Sequence, residues 1–142
     1  MTVAYFDSSA LVKLVVEEPG SADAALLWDG ADAVITSRVA HPEVRAALAA
    51  AQRDGRLDDE GHRVAKAEWG AFHQALRFVE LTPQLEADAG DLAERHALSG
   101  FDAVHLVSAL TLTELPLIVA SWDARLLRAT RSAGLTTLPA RP

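Results

Sequence analysis

Short apolar runs rich in β-branched or aromatic residues occur at residues 3–6, 33–36 and 117–120, and their length and composition predict buried strands. Residues 78–81 and 136–138 carry a fainter form of the same signal. Between these runs, apolar residues recur at three- and four-residue spacing over residues 9–17, 22–28, 38–53, 58–77, 83–96, 101–113 and 124–132, which predicts helices. Breakers fall between elements: Glu18-Pro19-Gly20-Ser21, Asp54-Gly55-Arg56 inside a helical hairpin, and Gly134 after the last helix. Alternating strands and helices predict an α/β fold of three layers, α/β/α, with a central parallel sheet of four to five strands. Right-handed crossovers from strand one to two to three, with a return to the far side of strand one, give the order 3-2-1-4-5. The helix at residues 101–113 is apolar almost all round, so it is expected to be buried. No linker or repeat divides the chain, and residues 1–142 are expected to form a single domain.

This pattern places four acidic residues in comparable positions. Asp7, Glu43, Asp102 and Asp123 each stand at or just beyond a predicted join between strand and helix. In a parallel sheet those joins meet at one edge, and open sheets of this type bind ligands there, outside the carboxyl ends of the strands at the switch point. Each acid also has an ordinary local explanation. Asp7 and Asp123 fit helix N-caps, Ser99-Gly100-Phe101-Asp102 fits a capping box, and Glu43 suits the positive end of a helix dipole. Packed together, such carboxylates repel and some take up protons unless a cation neutralises them. Magnesium or manganese suits a set of oxygen ligands, and the chemistry this predicts is metal-assisted attack on phosphate esters.

Composition narrows the choice. The chain has no cysteine, which removes disulfides and thiolate metal sites. Its five histidines, His41, His62, His73, His96 and His105, lack the spacing of a zinc helix. An apolar fraction of 50% is enough for a proper core. The chain runs from Met1 straight into strand-like residues and holds no long apolar stretch, so a soluble cytoplasmic protein is expected. A net charge of -7 is the wrong sign for holding nucleic acid by the whole surface, so a polyanionic substrate needs bound cations and a local basic patch.

Four blocks, in order, carry a family resemblance: Val3-Ala4-Tyr5-Phe6-Asp7-Ser8-Ser9-Ala10-Leu11-Val12-Lys13, Pro42-Glu43-Val44-Arg45-Ala46-Ala47-Leu48, Phe101-Asp102-Ala103-Val104-His105-Leu106-Val107-Ser108-Ala109, and Ser121-Trp122-Asp123-Ala124-Arg125-Leu126. Together they resemble the acidic blocks of PIN domains, especially VapC-type toxins of toxin-antitoxin pairs, over essentially the whole chain. The resemblance implies an endoribonuclease dependent on Mg²⁺ or Mn²⁺ whose acidic positions correspond to Asp7, Glu43, Asp102 and Asp123. Asp7 and Asp102 would be direct ligands, with Glu43 and Asp123 completing the site or positioning water. It also implies a homodimer and a VapB-like antitoxin partner. An antitoxin arginine among the carboxylates would make a chemically sensible lock.

Supporting roles follow from position. Ser8 and Ser121 are candidates to hydrogen-bond the ligating carboxylates, with turn or capping roles as the alternative. Lys13, Arg38, Arg45 and Arg125 are candidates to meet RNA phosphates, with solvated surface as the alternative. His105 lies one turn after Asp102 among apolar neighbours and reads as a packed histidine. Trp28, Trp69 and Trp122 read as packing residues before base-stacking ones. A haloacid-dehalogenase-like phosphatase needs a second Asp where Ser9 stands, and the acidic pair and lysine of a receiver domain are absent. The competing reading is a PIN-like binding module that cuts nothing, against which the four intact acids weigh.

Overall fold

Val3–Phe6 is apolar at every position because it is buried on both sides, as the central strand of a parallel sheet requires. This strand, β1, pairs with β2 (Ala33–Ser37) and β4 (Leu117–Ala120), while β3 (Arg77–Val79) and β5 (Thr136–Leu138) form the edges. The computed structural model describes residues 1–140, so the last two residues of the expected unit lie outside the described residues. All four pairings are parallel and the order is β3-β2-β1-β4-β5, as the alternating pattern predicts. Tyr5 stands in register with Ile35 on one side and Val119 on the other. The switch point lies between β1 and β4, where crossovers on either side leave the sheet in opposite directions.

The pleat of β1 divides the core. Ala4 and Phe6 face one layer with α1 (Ser8–Val12), α2 (Ser21–Gly30), α3 (Ala40–Arg53) and α4 (Asp59–Ala75), where Leu11, Ala24, Leu48 and Trp69 are buried. Val3 and Tyr5 face the other layer, meeting Ala109 of α6 (Gly100–Leu110). α5 (Pro83–His96) and α7 (Ala124–Ser132) pack with α6 through Leu85, Leu106 and Leu126. Burying each such large side chain contributes about 1.5–3 kcal/mol. Residues Ala103 to Ala109 of α6 are all buried, matching the nearly all-round apolarity of that segment.

Several boundaries differ from the sequence expectation, each for a local reason. The first helix stops at Val12, and the backbone then winds through tight turns, with Leu14 and Val15 donating to Leu11 and Val12 three residues back. The fourth helix ends at Ala75 because Leu76 turns extended and Phe78 pairs with Thr36 in the sheet. The third strand is Arg77–Val79, shifted toward the N-terminus from the expected residues 78–81.

The turns after α1 are pinned by an aromatic side chain. Gly20 has φ +94, and a Cβ built there would stand 2.6 Å from Nε1 of Trp122, whose ring also lies under Lys13 Nζ at 5.1 Å from its centroid. Gly55 has a similar φ of +83 with open space around it. Both Gly20→Ala and Gly55→Ala should therefore show the backbone penalty of roughly 1 kcal/mol for a left-handed alanine. Gly20→Ala should lose a further roughly 1–3 kcal/mol from overpacking against Trp122. Paired thermal melts test this, and equal losses at the two sites would show that Trp122 moves aside freely.

Candidate active site

The end of β1 delivers Asp7 to the carboxyl edge of the sheet, where it caps α1 by accepting from the Ala10 N–H at 2.9 Å. Capping uses only part of its capacity. Ser9 Oγ donates to Asp7 Oδ1 at 2.6 Å, and Ser121 Oγ, just past β4, donates to Oδ2 at 2.5 Å. Ser9 in turn accepts from the Trp122 N–H at 2.9 Å, and Ser121 accepts from the Asp123 N–H at 3.1 Å. These bonds tie the ends of β1 and β4 together across the switch point and fix Asp7 between them. At 2% exposure the carboxyl is almost wholly out of water. Burial pushes its pKa up, opposed by the His105 ring and by the donors from Ser121, Ser9 and Ala10.

Asp102 and Asp123 approach from the other layer. Ser99 is the N-cap of α6 and accepts from the Asp102 N–H at 3.3 Å, so the Asp102 carboxylate is not itself the cap. Partial burial raises the Asp102 pKa, the charge of Asp123 raises it further, and that of Asp7 adds to the effect. Asp123 caps α7 through the Leu126 N–H at 2.9 Å. The capping explanations of Asp7 and Asp123 therefore hold, yet the charges of both bear on Asp102.

Glu43 is engaged differently. It lies in the first turn of α3, and its Oε1 stands 2.7 Å from Nε2 of His105. The His105 ring is 1% exposed, and its Nδ1 is 2.7 Å from the Tyr5 hydroxyl. The ring is packed, as its apolar neighbours in the sequence predict, and both its nitrogens are also in use.

Among the described residues no three His, Asp or Glu side chains are gathered closely enough to form a ready-made metal cage. The donor chemistry nonetheless fits a small hard cation. The groups are carboxylates, two of them have pKa values raised by burial, and Asp102 is raised further by neighbouring negative charge. Mg²⁺ commonly takes only one or two carboxylates and keeps several waters, so a full protein cage is not required.

The supporting residues separate in the structure. The hydrogen bond to Asp7 expected of Ser8 is made by Ser9, one position along, while Ser121 donates to Asp7 directly. Lys13 pairs with Glu18 at 3.0 Å with its side chain only 9% exposed, so it braces the loop instead of reaching outward. Arg38 pairs with Glu80 at 2.9 Å and lies over the Phe78 ring. Arg45 is exposed on α3, and Arg125 lines a notch with His96 and Arg128. Trp69 is buried and donates to His41 Nδ1 at 3.0 Å, and Trp28 packs edge-on against Phe6 and Phe72, which makes both of them structural. Sequence spacing did not reveal Tyr5 or the His105–Glu43 contact, which joins residues 62 positions apart.

The PIN domain family model matches residues 4–131. The chain belongs to the PIN domain family. Ribonuclease VapC49 of Mycobacterium tuberculosis (strain ATCC 25618 / H37Rv) is 50% identical over 141 residues, covering 99% of this chain and 98% of that protein. Among solved structures, Mycobacterium tuberculosis VapC20, a Sarcin-Ricin loop cleaving toxin, superposes with a TM-score of 0.68 at 23% identity over 98% of this chain and 99% of its own. VapBC2 from Rickettsia felis, bound to a DNA fragment from their promoter, gives a TM-score of 0.63 at 11% identity over 95% of this chain and 96% of its own. The family match agrees with the resemblance carried by the four acidic blocks. Among its described residues no helix is long and apolar enough to cross a membrane.

Proposed function

We propose that this PIN domain is the toxin of a toxin-antitoxin pair, an endoribonuclease that hydrolyses RNA phosphodiester bonds with Mg²⁺ or Mn²⁺ held by Asp7, Asp102, Glu43 and Asp123. The observation that carries this reading is that Asp7 and Asp123, at the ends of β1 and β4, are linked through Ser121 at the switch point of a chain 50% identical to ribonuclease VapC49, with the Asp102 pKa raised by burial and by the charge of both. When bound, the ion supplies positive charge opposite the scissile phosphate and makes a neighbouring water more acidic.

The chain's own residues do the positioning. Ser9 and Ser121 hold both oxygens of Asp7 in one orientation, so that carboxylate meets an ion without rotamer search. Asp102 offers a half-buried carboxylate from α6, and Asp123 a capped one from α7. Arg125, exposed two residues after Asp123, is the cation we assign to an RNA phosphate beside the acids. Arg45 is a second exposed charge, on α3, the helix that carries Glu43. Ser8 keeps no assigned role. An acidic protein of net charge -7 would then hold RNA through the ion and these few arginines. We place its action in the cytoplasm, as a homodimer silenced by a VapB-like antitoxin; the VapBC2 likeness supports a partner of that kind.

The purified chain, separated from any antitoxin, is expected to cleave RNA with Mg²⁺ or Mn²⁺ and to stop when EDTA removes the ion. Cleavage restored by added Mn²⁺ but not by Ca²⁺ would match a small octahedral ion. Undiminished cleavage in EDTA would overturn the metal assignment. No cleavage of any RNA by folded, partner-free protein would leave the non-cutting binding module as the reading.

A further inference from the structure

Three elements meet through one imidazole. Tyr5 comes from the central strand, His105 from α6 and Glu43 from α3, and α3 and α6 lie in opposite layers of the fold. We infer that His105, anchored by the Tyr5 hydroxyl, is the positioning residue that holds the Glu43 carboxylate over the carboxyl edge of the sheet, oriented toward the ion that Asp7 and Asp102 would share. The inference rests on the metal site proposed above.

The geometry leaves His105 little freedom. The ring is 1% exposed and packs edge-on against Tyr5, with centroids 5.8 Å apart. A carboxylate oxygen only accepts, so Nε2 presents its hydrogen to Glu43 Oε1, and Nδ1 is occupied by the Tyr5 hydroxyl. Tyr5 is fixed in turn by the sheet and is fully buried. A glutamate side chain at the start of a helix ordinarily samples several rotamers in water. Here one oxygen is held at 2.7 Å and the other is left for an ion or its water. Groups that orient a metal-binding side chain in this way usually change metal affinity or activity by 10–100-fold when removed.

The arrangement also accounts for a buried histidine in a helix whose other buried residues, Ser108 apart, are apolar. A purely structural His105 would be replaceable by an apolar side chain of similar size at little cost to the site. A positioning His105 would not, and it would be replaced best by a side chain that keeps a donor where Nε2 stands.

The test measures Mn²⁺ binding to partner-free protein by electron paramagnetic resonance, alongside cleavage. His105→Leu should weaken Mn²⁺ binding roughly 10–100-fold. His105→Gln, whose amide N–H can still reach Glu43 Oε1, should recover most of that loss. Tyr5→Phe, which keeps the ring and removes only the anchor, should fall between wild type and His105→Leu. In a Glu43→Gln background, His105→Leu should make no further difference, because the group it orients no longer binds the ion. Wild-type Mn²⁺ affinity in folded His105→Leu, or equal losses in the Leu and Gln variants, would overturn the inference. So would full additivity with Glu43→Gln. If His105→Leu does not fold, Tyr5→Phe and His105→Gln carry the same comparison. Expected losses of Mn²⁺ affinity in a protein that cleaves no RNA would sustain the positioning role while removing the ribonuclease reading.

Discussion

Asp102→Asn is expected to reduce RNA cleavage by roughly two to three orders of magnitude while leaving the fold intact. The magnitude follows from the charge stabilisation of several kcal/mol that a bound cation supplies, at a factor of ten per about 1.4 kcal/mol. The intact fold follows from the local structure. The α6 cap is Ser99, not the Asp102 side chain, so the substitution removes no capping bond. The charged form of Asp102 is disfavoured in the metal-free protein by burial and by the charges of Asp123 and Asp7. Removing that charge relieves repulsion, and what it loses is the favourable interaction of an anion with the start of a helix, about 0.3–1 kcal/mol. Single-turnover cleavage of a defined RNA, paired with thermal melts, separates the two effects. A folded Asp102→Asn protein that cleaves at the wild-type rate would remove this residue from the site.

The layout that makes this experiment meaningful was legible in the sequence to a definite depth. The strand order and the convergence of the joins followed from short buried runs alternating with helices, because parallel strands and right-handed crossovers leave few topologies. The bounds of α5, α7 and β5 coincide with their periodic segments because Pro83, Asp123 and Gly134 mark those ends chemically. The expected first helix runs past Val12 because residues 13–17 keep helical periodicity while the backbone tightens into turns that bring Lys13 onto Trp122.

The support of Asp7 lies one residue later than the sequence predicts for a similar reason. Two adjacent serines follow the aspartate, and only the direction in which α1 leaves the cap decides that Ser9 turns back to it. The Tyr5–His105–Glu43 connection has no local signature at all. His105 reads as a polar interruption in an apolar helix until the fold places α3 across the sheet edge from α6. Local chemistry therefore marked the acids and, in Ser121, one of the groups that hold Asp7, whereas long-range geometry revealed how His105 holds Glu43.

Asp7→Asn should abolish cleavage and, in metal-free protein near neutral pH, should raise the melting temperature. Asp7 is buried, and burial lifts its pKa above the ordinary carboxyl value of about 4. The folded pKa exceeds the unfolded one, so this group's contribution to metal-free stability is fully present below about pH 4. It is then lost as pH rises through the raised folded value, because the folded state must hold a charge that the unfolded state places in water. Asparagine carries no such charge, and its stability advantage over wild type should grow with pH across that interval. At low pH the comparison should level or reverse, since asparagine has one acceptor oxygen for the donors from Ser9, Ser121 and Ala10. Added Mn²⁺ should invert the ranking at neutral pH. At a hundredfold excess over its dissociation constant, an ion that binds only the folded state adds about 2.7 kcal/mol to wild type, or on the order of 10 °C in melting temperature. The Asp7→Asn protein should gain little of it. Melts of both proteins across pH, with and without Mn²⁺, make the check. A Mn²⁺ shift of wild-type size in Asp7→Asn would remove Asp7 as a ligand. A stability difference independent of pH would show that the buried carboxyl stays in one protonation state throughout.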